Sequence, residues 1–266
     1  MDRFATKFAY QSPYLFAGNT PISGGDINGD SLYILTYIRG SENGEKSDGF
    51  EAGARTRQLD IENSTVFDKK RDKVIVIEIK SLSEVQTQVE STVNTYSGKY
   101  GQTAEFGMWS HSGSEDGPVG GGDVTNVDDA LSSDASQMLF SGWEKINFNW
   151  ECGARATFYG CNTAGTGGSW VDKSWTDKLS ELPNFKDIPV YGQSTWSYPS
   201  QYTDERNISW SDFLPVTEDN KTYWVGSKVD QGGSALFGGA DVVPMKKSVN
   251  GSTVKRDVIQ PGDKSE

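Results

Sequence analysis

Histidine is almost missing from this chain: 266 residues carry one imidazole, His111. Cysteine is nearly as scarce, with Cys152 and Cys161 alone, and there is no CxxC pair or His/Cys cluster. These scarcities exclude a zinc finger, a His-rich metal centre and a disulfide-stapled scaffold, so no metal or other cofactor is expected. No apolar run approaches the ~20 residues that cross a bilayer, so no membrane span is expected. The opening "MDRFATKFAYQ" lacks the apolar core of a signal peptide, so export would need another device or an upstream segment. Positive charge is in deficit too, with 25 Lys and Arg against 37 Asp and Glu, a net charge of −12. Phosphate backbones are held by dense basic surfaces, so neither nucleic acid nor an anionic membrane is an expected partner. The basic cluster "FDKKRDK" at 67–73 reads as a solvated turn before a strand.

What is present is a globular composition, 35% apolar and 12% aromatic, in a chain long enough to bury a core without staples. From about residue 33 the chain alternates strand and helix patterns. "KVIVIEI" (73–79) is a continuous apolar run of buried-strand type. A helix follows over 82–97, with Leu82, Val85, Val89, Val93 and Tyr96 on one stripe, Ser81 or Ser83 as cap and Gly98 as stop. "AEFGMWS" (104–110), "ARATFYG" (154–160), "IPVYG" (188–192) and "TYWVGS" (222–227) read as further strands. "SWVDKSWTDKLSEL" (169–182) reads as a helix that turns Val171, Trp175, Leu179 and Leu182 inward and stops at Pro183. This alternation predicts an α/β fold, a mostly parallel sheet with helices on both faces. Strands 73–79, 104–110, 154–160 and 188–192 are expected as its adjacent parallel members.

In an open α/β sheet, sites collect where loops leave the carboxyl ends of the strands. His111 stands just past one predicted strand and Cys161 just past another, so both fall on one edge. If the strands are neighbours, ~4.8 Å apart, thiol and imidazole can meet. A nearby imidazole or helix N-terminus favours the thiolate, and "CNTAGTGGSW" reads as a flexible turn feeding the next helix. The small residues Ser112, Gly113 and Gly160 leave room for a peptide carbonyl, and their backbone N–H groups are candidates for an oxyanion hole. A bland alternative stands beside this. Cysteine is among the most buried residue types, and a lone histidine often only hydrogen-bonds a loop. Cys152, before its strand, reads as structural. The two cysteines could also pair with each other.

Residues 1–32 differ from the rest, with turn formers at Ser12-Pro13, Gly24-Gly25 and Asn28-Gly29. "DINGD" puts Asp26, Asn28 and Asp30 at alternate positions like a calcium loop. Ser31 and Tyr37, however, stand where such a loop needs Gly and Glu. The segment resembles the end of the bacterial Rhs repeat-associated core. Asp2, Arg3, Phe4, Lys7, Ser12, Pro13, Tyr14, Asn19, Pro21, Ile22, Asp26, Asn28, Gly29, Asp30 and Ser31 match that pattern. The resemblance implies a boundary, with 1–32 the tail of an Rhs core and 33–266 a C-terminal toxin domain. It also implies an Rhs shell upstream, delivery into a target cell by a contact-dependent (type VI) secretion system, and a cognate immunity protein in the producer. Many Rhs cores end in a DPxG motif tied to self-cleavage; here Ile27 follows Asp26.

The order of the candidate pair carries a second resemblance. His111 precedes Cys161 by fifty residues, each closing an apolar strand, in "HSG" and "YGC". That order is similar to the caspase-like (clan CD) cysteine peptidases, although Ser112 separates His111 from Gly113 and "YGCNT" is not their QACxG. The resemblance implies a three-layer fold, a His111–Cys161 dyad and a protein substrate. It places the substrate pocket in the loops holding Glu115 and Asp116, which would favour a basic side chain, and Ser194 and Trp196. Two other readings stay open. One is a nucleotide- or NAD-directed toxin, for which Glu205 and Arg206 are candidates. The other is a non-enzymatic binding domain in which His111 and Cys161 are structural.

Overall fold

Five apolar strand patterns of this chain lie side by side in the computed structural model. The residues it describes are 30–38, 48–113, 117–120, 137–166, 172–194, 197–199, 205–207, 217–219, 224–226 and 245–258. The central sheet has seven strands: β1 (Ser31–Ile38), β2 (Lys73–Ile79), β3 (Gln102–Trp109), β4 (Trp150–Tyr159), β5 (Val190–Gln193), β6 (Met245–Val249) and β7 (Ser252–Val258). Their order is β2-β1-β3-β4-β5-β6-β7. The first five are mutually parallel, and β6 runs antiparallel to both β5 and β7.

The sheet is thus α/β and mostly parallel, as the alternation predicts, but its neighbours differ in one place. Strand 73–79 does not adjoin 102–109, because β1 lies between them. Ser31 and Leu32, at the end of the turn-rich segment, already belong to β1. Of the "TYWVGS" strand the described residues are Trp224–Gly226, which pair antiparallel with Ser197–Pro199 in a separate two-stranded sheet. Strand Glu205–Asn207 likewise pairs only with Thr217–Asp219 among the described residues.

Right-handed crossovers decide where the helices lie. Helix α1 (Asp48–Glu62) carries the chain from β1 outward to β2, and α2 (Val85–Tyr100) carries it back across β1 to β3. Opposite directions of travel put α1 and α2 on opposite faces. Helices α3 (Phe140–Lys145) and α4 (Trp175–Ser180) continue in the direction of α2 and share its face. On that face Ile34, Phe106, Met108, Ala156 and Phe158 of the strands bury Val85, Val89, Val93, Trp143, Trp175 and Leu179. On the other, Leu35, Tyr37, Val74, Trp109, Tyr159 and Met245 pack with Phe50, Ala54 and Ile61 of α1. Period-two alternation in β1, β3 and β4 feeds both cores.

The helix boundaries shift from the sequence reading for visible reasons. A 3-10 turn over Leu82–Glu84 precedes α2, with the Ser81 hydroxyl accepting the Ser83 N–H. Gly98 stays inside the helix, and Gly101, at φ +81, ends it. Helix α4 begins only at Trp175. Ser174 and Asp177 form a reciprocal capping box there, which fixes the start.

A charged cluster fastens α1 to the sheet. Glu105 of β3, 2% exposed, accepts two bonds from Arg57 of α1 (2.9 and 2.7 Å) and two from Arg155 of β4 (2.9 and 2.7 Å). Burial pushes the Glu105 carboxyl up, but the charges and hydrogen bonds of Arg155 and Arg57 outweigh it and bring it from the ordinary 4.5 to about 2.

Candidate active site at the carboxyl edge of the sheet

Strands β3 and β4 run in register to their last residues, where Trp109 faces Tyr159. Their rings stack at 4.2 Å and 12°, fully buried on the α1 face. One more rung follows, as the Ser110 N–H donates to the Tyr159 carbonyl at 3.3 Å. Then the chains part. His111 opens a short antiparallel ribbon, His111–Gly113 against Gly117–Val119, and Cys161 opens a turn over 161–164. Each stands two residues beyond the Trp109–Tyr159 pair.

Close packing holds the two departing segments together. A Cβ on Gly160 would lie 2.6 Å from the Ser112 Cβ and 3.1 Å from the Ser110 carbonyl oxygen, so only glycine fits beneath Ser112. Ser112, Gly113 and Gly160, read from sequence as small residues around the pair, thus flank it in space. The exposed His111 meets Phe50 of α1 edge to face, ring centroids 5.0 Å apart at 83°. The far end of the ribbon sits on α4: a side chain on Gly117, at φ +72, would enter the Trp175 ring.

Cys161 is half-buried and forms no disulfide. Cys152 forms none either, but it is exposed near the opposite end of β4 rather than packed. Seven strand residues at ~3.3 Å each put roughly 20 Å between Cys152 and Tyr159, far beyond the ~7 Å Cα limit of a disulfide. The two thiols therefore do not pair.

The turn that carries Cys161 is clamped rather than flexible. Thr163, fully buried, donates its hydroxyl to the Phe158 and Gly160 carbonyls (both 3.2 Å) and accepts the Gln193 N–H at 2.9 Å. The Ala164 N–H donates to the Gln193 carbonyl at 2.8 Å, so the turn takes over the next rung of β5. Asn162 sits at φ 55, in the left-handed region that Asn tolerates better than most residues. The first amides of α4 are already engaged, Thr176 N–H with the Thr163 carbonyl and Asp177 N–H with the Ser174 hydroxyl.

Of the expected pocket residues, Ser194 is half-buried just past the end of β5, its carbonyl 3.0 Å from where a Gly165 Cβ would be. Glu115, Asp116 and Trp196 lie outside the described residues, as does the turn-rich segment 2–29. Sequence reading passed over Phe50, Thr163 and Gln193. The Thr two residues after the cysteine was a visible signal; the other two needed the fold. Gln193 is fully buried, and among the described residues neither end of its side-chain amide has a hydrogen-bond partner. By strand alternation it shares the face of Tyr191, beside Tyr159 and Met245.

Among the described residues, no group of three or more His, Cys, Asp and Glu is placed to hold a metal ion. No helix among them is long and apolar enough to cross a membrane. No protein-family model, curated protein or solved structure matches the chain. The edge itself offers one imidazole and one thiol, each two residues beyond the registered Trp109–Tyr159 pair of neighbouring parallel strands.

Proposed function

We propose that this chain carries a cysteine peptidase of caspase-like type, with Cys161 as nucleophile and His111 as general base. The observation that carries the reading is the equal offset of the two residues beyond the Trp109–Tyr159 pair. Side-by-side strands ending in His and Cys are what the caspase-like resemblance implies.

In this mechanism the Cys161 Sγ gives its proton to the His111 ring and attacks a peptide carbonyl carbon. Backbone N–H groups of the Ser112–Gly113 and Gly160–Cys161 segments hold the oxyanion. The intermediate collapses as the carbon–nitrogen bond breaks, and His111 returns the proton to the leaving amine. A water activated by His111 then splits the thioester and restores the thiol. Glu115 and Asp116 would select a basic side chain, with Ser194 and Trp196 as pocket wall.

The Rhs-like segment over residues 2–32 supplies the biological setting. The domain is a delivered effector toxin, and an immunity protein in the producing cell covers the edge that bears His111 and Cys161. Mapping new peptide N-termini in a bacterial lysate treated with the purified chain tests the activity. Cleavages that vanish with folded Cys161→Ala are expected; an identical cleavage map from that variant would refute the assignment.

A further inference from the structure

We propose that Thr163 is a positioning residue for the Cys161 nucleophile, and that the C-terminal hairpin completes the clamp it forms. The inference rests on the peptidase reading and adds to it the device that keeps the sulfur in place.

A nucleophile on a turn is only as well aimed as the turn is rigid, and a displacement of about 1 Å can cost a hundredfold in rate. Cys161 lies between Gly160 and Asn162, outside the ladder of β4. The bonds that fix this turn converge on Thr163. Its hydroxyl ties back to Phe158 and Gly160, its oxygen receives the Gln193 N–H, and its carbonyl receives the Thr176 N–H at 3.1 Å. One residue therefore joins three elements around the cysteine: its hydroxyl ties the end of β4 to the end of β5, and its carbonyl takes the start of α4.

The surroundings are cut to admit that hydroxyl. A Cβ on Gly192 would lie 2.5 Å from the Thr163 Oγ1 and 2.7 Å from the Thr176 Cγ2, so β5 forgoes a side chain there. Behind Thr163 the bonding continues. The Thr176 hydroxyl meets Ser248 of β6 at 3.0 Å, and Asp177 of α4 accepts the Thr253 hydroxyl of β7 at 2.7 Å. The Gly251 N–H, in the hairpin turn, donates to the Ser180 hydroxyl at 2.9 Å. The hairpin thus holds α4, α4 holds Thr163, and Thr163 holds the turn. Thr163, Thr176, Ser180 and Ser248 are all fully buried, which shields these bonds from water.

The test uses the full chain and iodoacetamide, following alkylation of Cys161 against pH by mass spectrometry. Parent protein should alkylate with a midpoint below the ~8.5 of an ordinary thiol. Thr163→Val, which keeps the shape and removes the hydroxyl, should raise that midpoint by about one pH unit as the sulfur drifts from His111. Thr163→Ser should stay with the parent. A depressed parent midpoint that Thr163→Val leaves unchanged overturns this inference alone. A parent midpoint at the ordinary value overturns the peptidase reading and this inference with it. If Thr163→Val does not fold, Thr163→Ala carries the same comparison, and failure of both to fold assigns Thr163 to the scaffold and ends the proposal.

Discussion

Trp109 and Tyr159 are the last registered pair of two neighbouring parallel strands, and their rings stack 4.2 Å apart. The pair fixes the relative height of β3 and β4, so the residues two places on, His111 and Cys161, leave the sheet at the same level. Removing one ring takes away a large, fully buried contact. Tyr159→Ala is expected to cost about 3–5 kcal/mol in urea unfolding. Tyr159→Phe, which keeps the stack, is expected to retain most of the stability.

The contact between the two loops can be tested by exchange of bulk. Gly160→Ala drives a methyl to within 2.6 Å of the Ser112 Cβ and should destabilise by about 1–3 kcal/mol. Adding Ser112→Gly removes the opposing atom and should recover most of the loss. Additive losses in the double variant would mean that the two loops do not touch.

Glu105 makes the fold sensitive to acid. Its folded carboxyl titrates near 2 against an ordinary 4.5. A depressed folded value adds stability above the unfolded value, and that stability drains away as pH falls through the folded one. The contribution, on the order of 3 kcal/mol, should therefore be lost between about pH 4.5 and 2. Glu105→Gln should flatten the stability-against-pH curve in that window. At neutral pH it should cost about 3–5 kcal/mol, because two arginines lose their buried partner.

Gln193 offers a separation of stability from function. A buried amide with neither end hydrogen-bonded costs about 1–3 kcal/mol relative to an apolar group of similar shape. Gln193→Met should therefore melt at a higher temperature than the parent. Residue 193 reaches the Cys161 turn through its backbone N–H and carbonyl, which the same variant keeps, so cleavage should stay with the parent. A melting temperature below that of the parent would show that the amide is satisfied in solution.

The strands that bear the candidate pair were legible because each is an apolar run closed by small or polar residues. "FGMWSHSG" and "TFYGCNT" show both the element and its end. Helix α1 was not legible. Phe50, Ala54, Arg57 and Ile61 follow helical spacing, yet the stripe contains a buried arginine whose partner, Glu105, is far away in sequence. Strand β1 was hidden for a different reason: the boundary after residue 32 cuts through "SLYILTYI", leaving its first two residues with the turn-rich segment. The C-terminal hairpin carried a readable Asn250-Gly251 turn, and both residues do adopt positive φ, 49° and 80°. Its strands, rich in Lys and Ser, gave no apolar run to support that signal. The Thr163 clamp depends on four segments meeting, and local sequence has no means of announcing that.

The pairing of His111 with Cys161 is tested most directly by growth arrest on expression in a bacterial cytoplasm, with a normal melting temperature required of every variant. Two residues that act as one unit lose activity non-additively. Cys161→Ala, His111→Ala and the double variant should therefore be inactive to the same extent. Cys161→Ser should be nearly as inactive, and Cys152→Ala should arrest growth like the parent. Folded Cys161→Ala that arrests growth as strongly as the parent would contradict the account and make Cys161 a packing residue.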